Sequence, residues 1–166
     1  MDTKPLIPEQ SGQLSAKALK AYAAQRARDS SPAHFLGVAP GARSTRMPQL
    51  VLEGLPTVTV DTLAAHLGLP VAEFTARYAQ ISRQTLARRR TSGRLNAEES
   101  DRVARFARLL RQAVALLAGD EAAALRWLKS PHHLLEGQSP LEYARTESGA
   151  AEVLQLMGRI EAGVYS

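Results

Sequence analysis

Apolar positions recur at helical spacing along most of this chain, and turn residues divide them into short runs. Val60, Leu63, Ala64 and Leu67 fall at i, i+3, i+4 and i+7, the stripe of a short helix. Thr59 has the side chain to cap its start, and Gly68 stands where a left-handed residue closes a helix. Pro70 opens a second helix with Val71, Phe74 and Tyr78 facing inward. The turn Ala79-Gln80-Ile81 leads to Ser82, a suitable N-cap for a third helix, with Ile81 stapled against Leu86. Asn96 and Glu99 then form a capping pair for a long helix. Its inner face is Val103, Phe106, Leu110, Ala113, Val114 and Leu117, and Gly119 ends it.

Three further helices follow from the same punctuation. One covers about Glu121–Lys129 and stops before Pro131. Ser139-Pro140-Leu141-Glu142 combines a capping box with proline at the first helical position. The last runs over about Glu147–Ala162 with Val153, Leu156, Met157 and Ile160 inward, and Gly163 leaves Val164-Tyr165-Ser166 as a tail. Upstream, Leu14–Arg28 reads as an isolated exposed helix, and the Ser, Pro and Gly of Asp29–Pro48 read as a linker. The expected fold is all-α. Residues 1–50 form an N-terminal helix and linker, 51–112 a helix-turn-helix domain and 113–166 a small helical domain.

Composition agrees with helices packed on helices: 45% of residues are hydrophobic, 22% charged and only 5% aromatic. There is no cysteine, which excludes disulfides and thiolate metal ligands. No apolar run approaches the ~18 residues of a membrane span, and the N-terminus has no signal-peptide core, so we expect a cytoplasmic protein with no membrane partner.

Charge changes the picture more. Six arginines against one glutamate give Val71–Arg94 a balance of +5, equal to the net charge of the whole chain. Met1–Pro70 contributes +2 and Leu95–Ser166 −2. So concentrated a positive field attracts a polyanion, of which nucleic acid is the commonest. A solvated basic face would carry the same charge, but this run lies on the second and third helices of a helix-turn-helix. Gln84, Ala87, Arg88 and Thr91 lie opposite Leu86 and face a major groove, where Arg and Gln make bidentate contacts to guanine and adenine. Arg77, Arg83, Arg89, Arg90 and Arg94 flank that face and suit phosphates, with Arg83 at the helix start where it also reaches the operator bases.

Motifs for catalysis fail. GVAPGARS has the wrong glycine spacing and no lysine for a phosphate loop. Adjacent His132 and His133 lack the spacing of a metal pair, and no Gly-x-Ser-x-Gly or dinucleotide fingerprint is present. Glu98 and Glu99 serve better as helix N-terminal charges than as catalytic carboxylates. We therefore expect no enzyme activity, catalytic residue, metal or cofactor. Trp127 reads first as a core anchor.

Ile81-Ser82-Arg83-Gln84-Thr85-Leu86-Ala87-Arg88-Arg89, then Glu99-Ser100-Asp101-Arg102, resembles the Xre-like helix-turn-helix of the Xre/MbcA/ParS antitoxins. The similarity continues through Ala124-Leu125-Arg126-Trp127-Leu128, Pro131, Gly137-Gln138-Ser139-Pro140-Leu141-Glu142 and Thr146-Glu147-Ser148-Gly149-Ala150. It closes on Arg159-Ile160-Glu161-Ala162-Gly163-Val164-Tyr165-Ser166, similar to the end of that family's toxin-binding domain. The resemblance covers about Pro56–Ser166, and its C-terminal part is the more specific.

The resemblance implies a type II toxin–antitoxin pair whose partner is a RES-domain toxin that consumes NAD or transfers from it. It implies that the C-terminal region covers the toxin's active site, and that toxin and antitoxin together repress their operon. Trp127, Arg159, Glu161, Gly163, Val164, Tyr165 and Ser166 are then the candidate toxin contacts. A homodimer reading two half-sites is expected, within a higher complex with the toxin. The rival reading is a stand-alone dimeric helix-turn-helix transcription regulator.

Overall fold

The computed structural model describes residues 32–38 and 47–163. The expected helix Leu14–Arg28 and the tail Val164-Tyr165-Ser166 lie outside the described residues. Those that are described form helices and turns only, with a single isolated bridge between Pro56 and Arg94, so the fold is all-α.

After a 3-10 turn, Pro32–Leu36, the order is α1 (Met47–Glu53), α2 (Val58–His66) and α3 (Val71–Glu73, continued by a π-helical turn, Phe74–Tyr78). Next come α4 (Arg83–Ser92) and α5 (Ala97–Leu116). Helix α6 (Glu121–Lys129), a 3-10 turn at His133–Leu135, α7 (Pro140–Tyr143) and α8 (Glu147–Glu161) complete it.

Helix α5 is the spine. Its capping box is closed in both directions: the Asn96 side chain accepts the Glu99 N–H at 2.8 Å, and the Glu99 carboxylate accepts the Asn96 N–H at 2.9 Å. Twelve of its 20 residues are buried, more than one stripe supplies, so the helix is covered on several sides. The Pro32–Leu36 turn, α1 and α2 pack on it, as do α6 and α8. The Phe106 ring meets Phe74 and Tyr78 edge-on at 5.8 and 5.7 Å, which seats the helix-turn-helix on the spine.

Several local expectations are corrected. The Asp29–Pro48 segment is not a plain linker, because Phe35 and Leu36 are buried in the core and rest against α2 and α5. Thr59 does not cap α2. It sits in the first turn, buried, and its hydroxyl donates to the Pro56 carbonyl at 2.7 Å, while Thr57 holds the cap position without a side-chain bond. Pro70 precedes its helix as N-cap rather than opening it. The stop of α5 starts one residue before Gly119, at Ala118 (φ 58°). Ser139 caps α7 by accepting the Glu142 N–H, but the Glu142 side chain turns away to an arginine and leaves the capping box half made. The inner face expected of the long helix holds: Val103, Phe106 and Leu110 are fully buried.

Candidate functional site

Helix α4 is built by its ends. Ser82 is extended, and its Oγ accepts the Thr85 N–H at 3.1 Å, as an N-cap should. Gly93 closes the helix with φ 79°, a conformation that favours glycine. The turn before it is gripped from two sides. The Ile81 N–H donates to Thr75 O at 2.8 Å, and Arg102 on α5 donates through Nε to Ala79 O at 2.7 Å. Gln80 takes a left-handed φ of 52° there, which is strained for a residue with a Cβ.

Leu86 is the one buried residue of α4, and Arg83, Gln84, Ala87, Arg88 and Thr91 are all exposed on it. Among the described residues Arg83 and Arg88 make no ion pair, which leaves their guanidinium groups available to a ligand. The other arginines of this region are engaged, to different depths. Arg90 pairs with Asp61 at 2.7 Å, both about half exposed. Arg94 donates to Gly54 O at 2.7 Å. Arg77 lies 2.6 Å from Glu142 Oε1, an ion pair whose N–H is not aligned on the oxygen, and its guanidinium stands 5.8 Å from the centre of the Tyr78 ring.

Arg89 is the most committed. Its Nε donates to Glu99 Oε2 at 2.8 Å, and the Glu99 side chain is 5% exposed. Burial by itself would raise that carboxyl, but the Arg89 hydrogen bond, the Asn96 N–H and the charges of Arg89 and Arg102 outweigh it and hold Glu99 below the ordinary carboxylate value. Burial, with the hydrogen bond and charge of Glu142, pushes the Tyr78 phenol up to about 12, so it stays neutral at every physiological pH. The local excess of +5 read along the chain is thus partly cancelled in space by Asp61, Glu99 and Glu142.

The second candidate surface is carried by α6 and α8, which pack on the spine. Trp127, near the end of α6, is half-buried, and its ring is edge-on to His132 at 6.1 Å. His132 stacks on His133 at 5.0 Å, and burial followed by the His133 charge lowers its pKa, which favours the neutral ring. Thr146 caps α8 by accepting the Gly149 N–H at 3.1 Å. A Cβ at Gly149 would collide with the Tyr143 carbonyl, so glycine is required where α8 crosses α7. Arg105, buried on α5, donates to Glu147 at 2.8 Å and to Arg145 O at 3.0 Å and fixes the start of α8. Arg159, Glu161 and Gly163 are exposed on the last turn of α8 and just beyond it, Gly163 with φ 72°. Val164, Tyr165 and Ser166 lie outside the described residues.

Glu99, Arg102, Arg105 and Glu142 were not among the sequence-read site residues. The Asn96–Glu99 and Ser139–Glu142 spacings hinted at two of them, and both hinted at caps. Two contacts also tie the helix-turn-helix to α6: His66 Nδ1 to Glu121 at 2.9 Å, and Lys129 Nζ to Gly68 O at 3.1 Å.

Residues 46–108 match the family described as the antitoxin Xre-like helix-turn-helix domain. Residues 112–163 match the antitoxin Xre/MbcA/ParS C-terminal toxin-binding domain. An antitoxin Xre of Yersinia enterocolitica serotype O:8 / biotype 1B is 38% identical over 128 residues, 76% of this chain and 86% of that protein. The chain belongs to the Xre antitoxin family. A second antitoxin Xre, from Photorhabdus laumondii subsp. laumondii, is 35% identical with the same coverage. As an Xre-family antitoxin, the chain carries a helix-turn-helix for DNA and a C-terminal domain for a toxin. The two family matches meet between residues 108 and 112, inside α5, so one continuous helix serves both modules. No helix of the described residues is long and apolar enough to cross a membrane.

Proposed function

We propose that this antitoxin neutralises a cytoplasmic RES-domain toxin that consumes NAD, and that with the toxin it represses their shared operon through α4. The observation that carries the reading is the toxin-binding match at 112–163, which ends on the exposed close of α8. Arg159, Glu161 and Gly163, with Val164, Tyr165 and Ser166 beyond them and Trp127 on α6, form the surface laid over the toxin's active site. Nothing in this role calls for catalysis by the antitoxin itself.

On DNA, Arg83, Gln84 and Arg88 read base edges. Arg90 is half-exposed beside an equally exposed Asp61, and such a pair is weak enough to exchange a carboxylate for a phosphate. Arg77, itself half-exposed, instead has a partner in Glu142 that is mostly buried. Arg89 lacks that freedom, its partner being buried. The protein acts as a homodimer. Support comes from a groove of about 460 Å³ lined by Pro32, Met47, Pro48, Val51 and Leu52 with α5, beside which Leu52 is 75% exposed.

Deletion of Gly163–Ser166 tests the reading when the truncated protein is coexpressed with its toxin. The account expects loss of protection with DNA binding intact. Full protection by the soluble truncated protein would move the inhibitory surface to Trp127 or to the Ser139–Glu142 turn.

A further inference from the structure

We propose that Glu99 is a positioning residue for operator reading: through Arg89 it fixes the orientation of α4, and so governs specific affinity without touching DNA. The inference rests on α4 being the helix that enters the groove.

A helix usually takes its pose from an apolar stripe one turn after another. Helix α4 has ten residues and buries only Leu86. A single apolar contact leaves a helix free to roll about it, and rolling carries Arg88 and Gln84 away from the bases they face. The ties at the two ends limit this through the backbone, without a side-chain contact from the helix body itself. The Ser82 cap, the Thr57 N–H to Gly93 O bond at 3.1 Å and the Leu95 N–H to Leu55 O bond at 2.9 Å hold the flanking chain. Among the described residues, two side chains from the body of the helix make a polar contact with another element: Arg90 and Arg89. The Arg90–Asp61 pair is half-exposed and therefore weak.

Arg89 lies three residues after Leu86, on the same side, and reaches a fixed point. Glu99 Oε2 accepts both Arg89 Nε at 2.8 Å and the Asn96 N–H at 2.9 Å, and the Asn96 side chain accepts the Glu99 N–H in return. The carboxylate is thus clamped in the first turn of the spine. Capping alone works as well for a carboxylate in solvent. Burying this one carries a desolvation cost that only the full set of donors offsets, and the gain is one geometry for α4. General affinity for DNA needs only the positive charge of the face, which the Glu99 side chain does not supply.

The test uses the full chain as wild type, Glu99→Gln, and the double variant Arg89→Ala/Glu99→Gln, which leaves no buried charge unpaired. Each is titrated with a duplex that the wild type has selected from a random pool and with a scrambled duplex, over a range of salt. Circular dichroism confirms the helical fold at the temperature used. We expect Glu99→Gln to lose about tenfold or more on the selected duplex, a loss the size of a mismatched base pair. On the scrambled duplex it should stay within about twofold, with an unchanged salt slope. The double variant should match the single one. Two results overturn the proposal: Glu99→Gln binding both duplexes as well as or better than wild type, or a double variant whose salt slope falls by about 0.9, the mark of a lost phosphate contact. A wild-type protein that enriches no sequence would instead remove the reading of α4 on which the inference stands.

Discussion

Helix α4 buries Leu86 alone, whereas α8 buries Gly149, Ala150, Val153, Leu156 and Met157 along one face. Both carry exposed residues that we propose meet a partner, but the share of apolar packing that holds them differs. Three apolar side chains of α8 each contribute roughly 1.5–3 kcal/mol by leaving water, and the Arg105–Glu147 pair adds only at the helix start. The pose of α4 depends on a buried ion pair, two caps and an exposed pair, which leaves its reading face almost wholly free of packing duties. The buried face of α8 can therefore change only at a cost in fold, while the exposed face of α4 can be substituted with little effect on stability.

The largest effect that would break the comparison is expected on the apolar side. Leu156→Ala removes a side chain 1% exposed and should cost about 2–5 kcal/mol of stability, read from denaturant unfolding. A loss below about 1 kcal/mol would mean that α8 is not held by its apolar face. Next comes Arg88→Ala, expected to cost about 1–3 kcal/mol in operator binding. Its unfolding free energy should stay within about 0.5 kcal/mol, since the side chain is exposed. Equal losses in both would show that α4 does carry packing.

A smaller effect depends on pH. The Glu99 carboxyl is held below its ordinary value, so its contribution is complete above the ordinary carboxylate range and is lost as the pH falls through the lower, folded value. The difference in Tm between wild type and Glu99→Gln should be constant near neutral pH and should shrink only in acid. A difference that stays constant down to complete acid unfolding would show that Glu99 is not the titrating tie. The smallest effect is Arg90→Ala: loss of its exposed pair with Asp61 should cost about 0–1 kcal/mol of stability. A larger loss in thermal unfolding would make Arg90, rather than Arg89, the anchor of α4.

Local signals carried most of the fold. Ser82, Asn96 with Glu99, and Ser139 act within three or four residues of themselves, which is the range over which a single sequence speaks of caps. The exposed face of Arg83, Gln84 and Arg88 follows from the same periodicity once Leu86 is inward. Contacts between distant segments were not legible. Arg77 meets Glu142 across 65 positions and Arg105 meets Glu147 across 42, and no spacing rule links them. Pro32–Leu36 was hidden for another reason. Its apolar run is too short for a helical stripe and stands among Ser, Pro and Gly, so only its burial against α2 and α5 reveals Phe35 and Leu36 as core. Thr59 shows the limit within a local signal. Thr57 and Thr59 both have capping side chains, but Thr57 is helical rather than extended and the Thr59 hydroxyl donates to the Pro56 carbonyl, so neither caps the helix.

The central claim is that DNA reading and toxin neutralisation occupy separate surfaces of one rigid spine. Its most direct test is the NAD content of cells that express the toxin together with an Arg83→Ala/Arg88→Ala antitoxin from a foreign promoter. The account predicts NAD held at the level given by the wild-type antitoxin, although the variant no longer binds the operator. Depleted NAD in the presence of a folded, soluble variant would contradict it, and would place the reading face of α4 within the surface that covers the toxin.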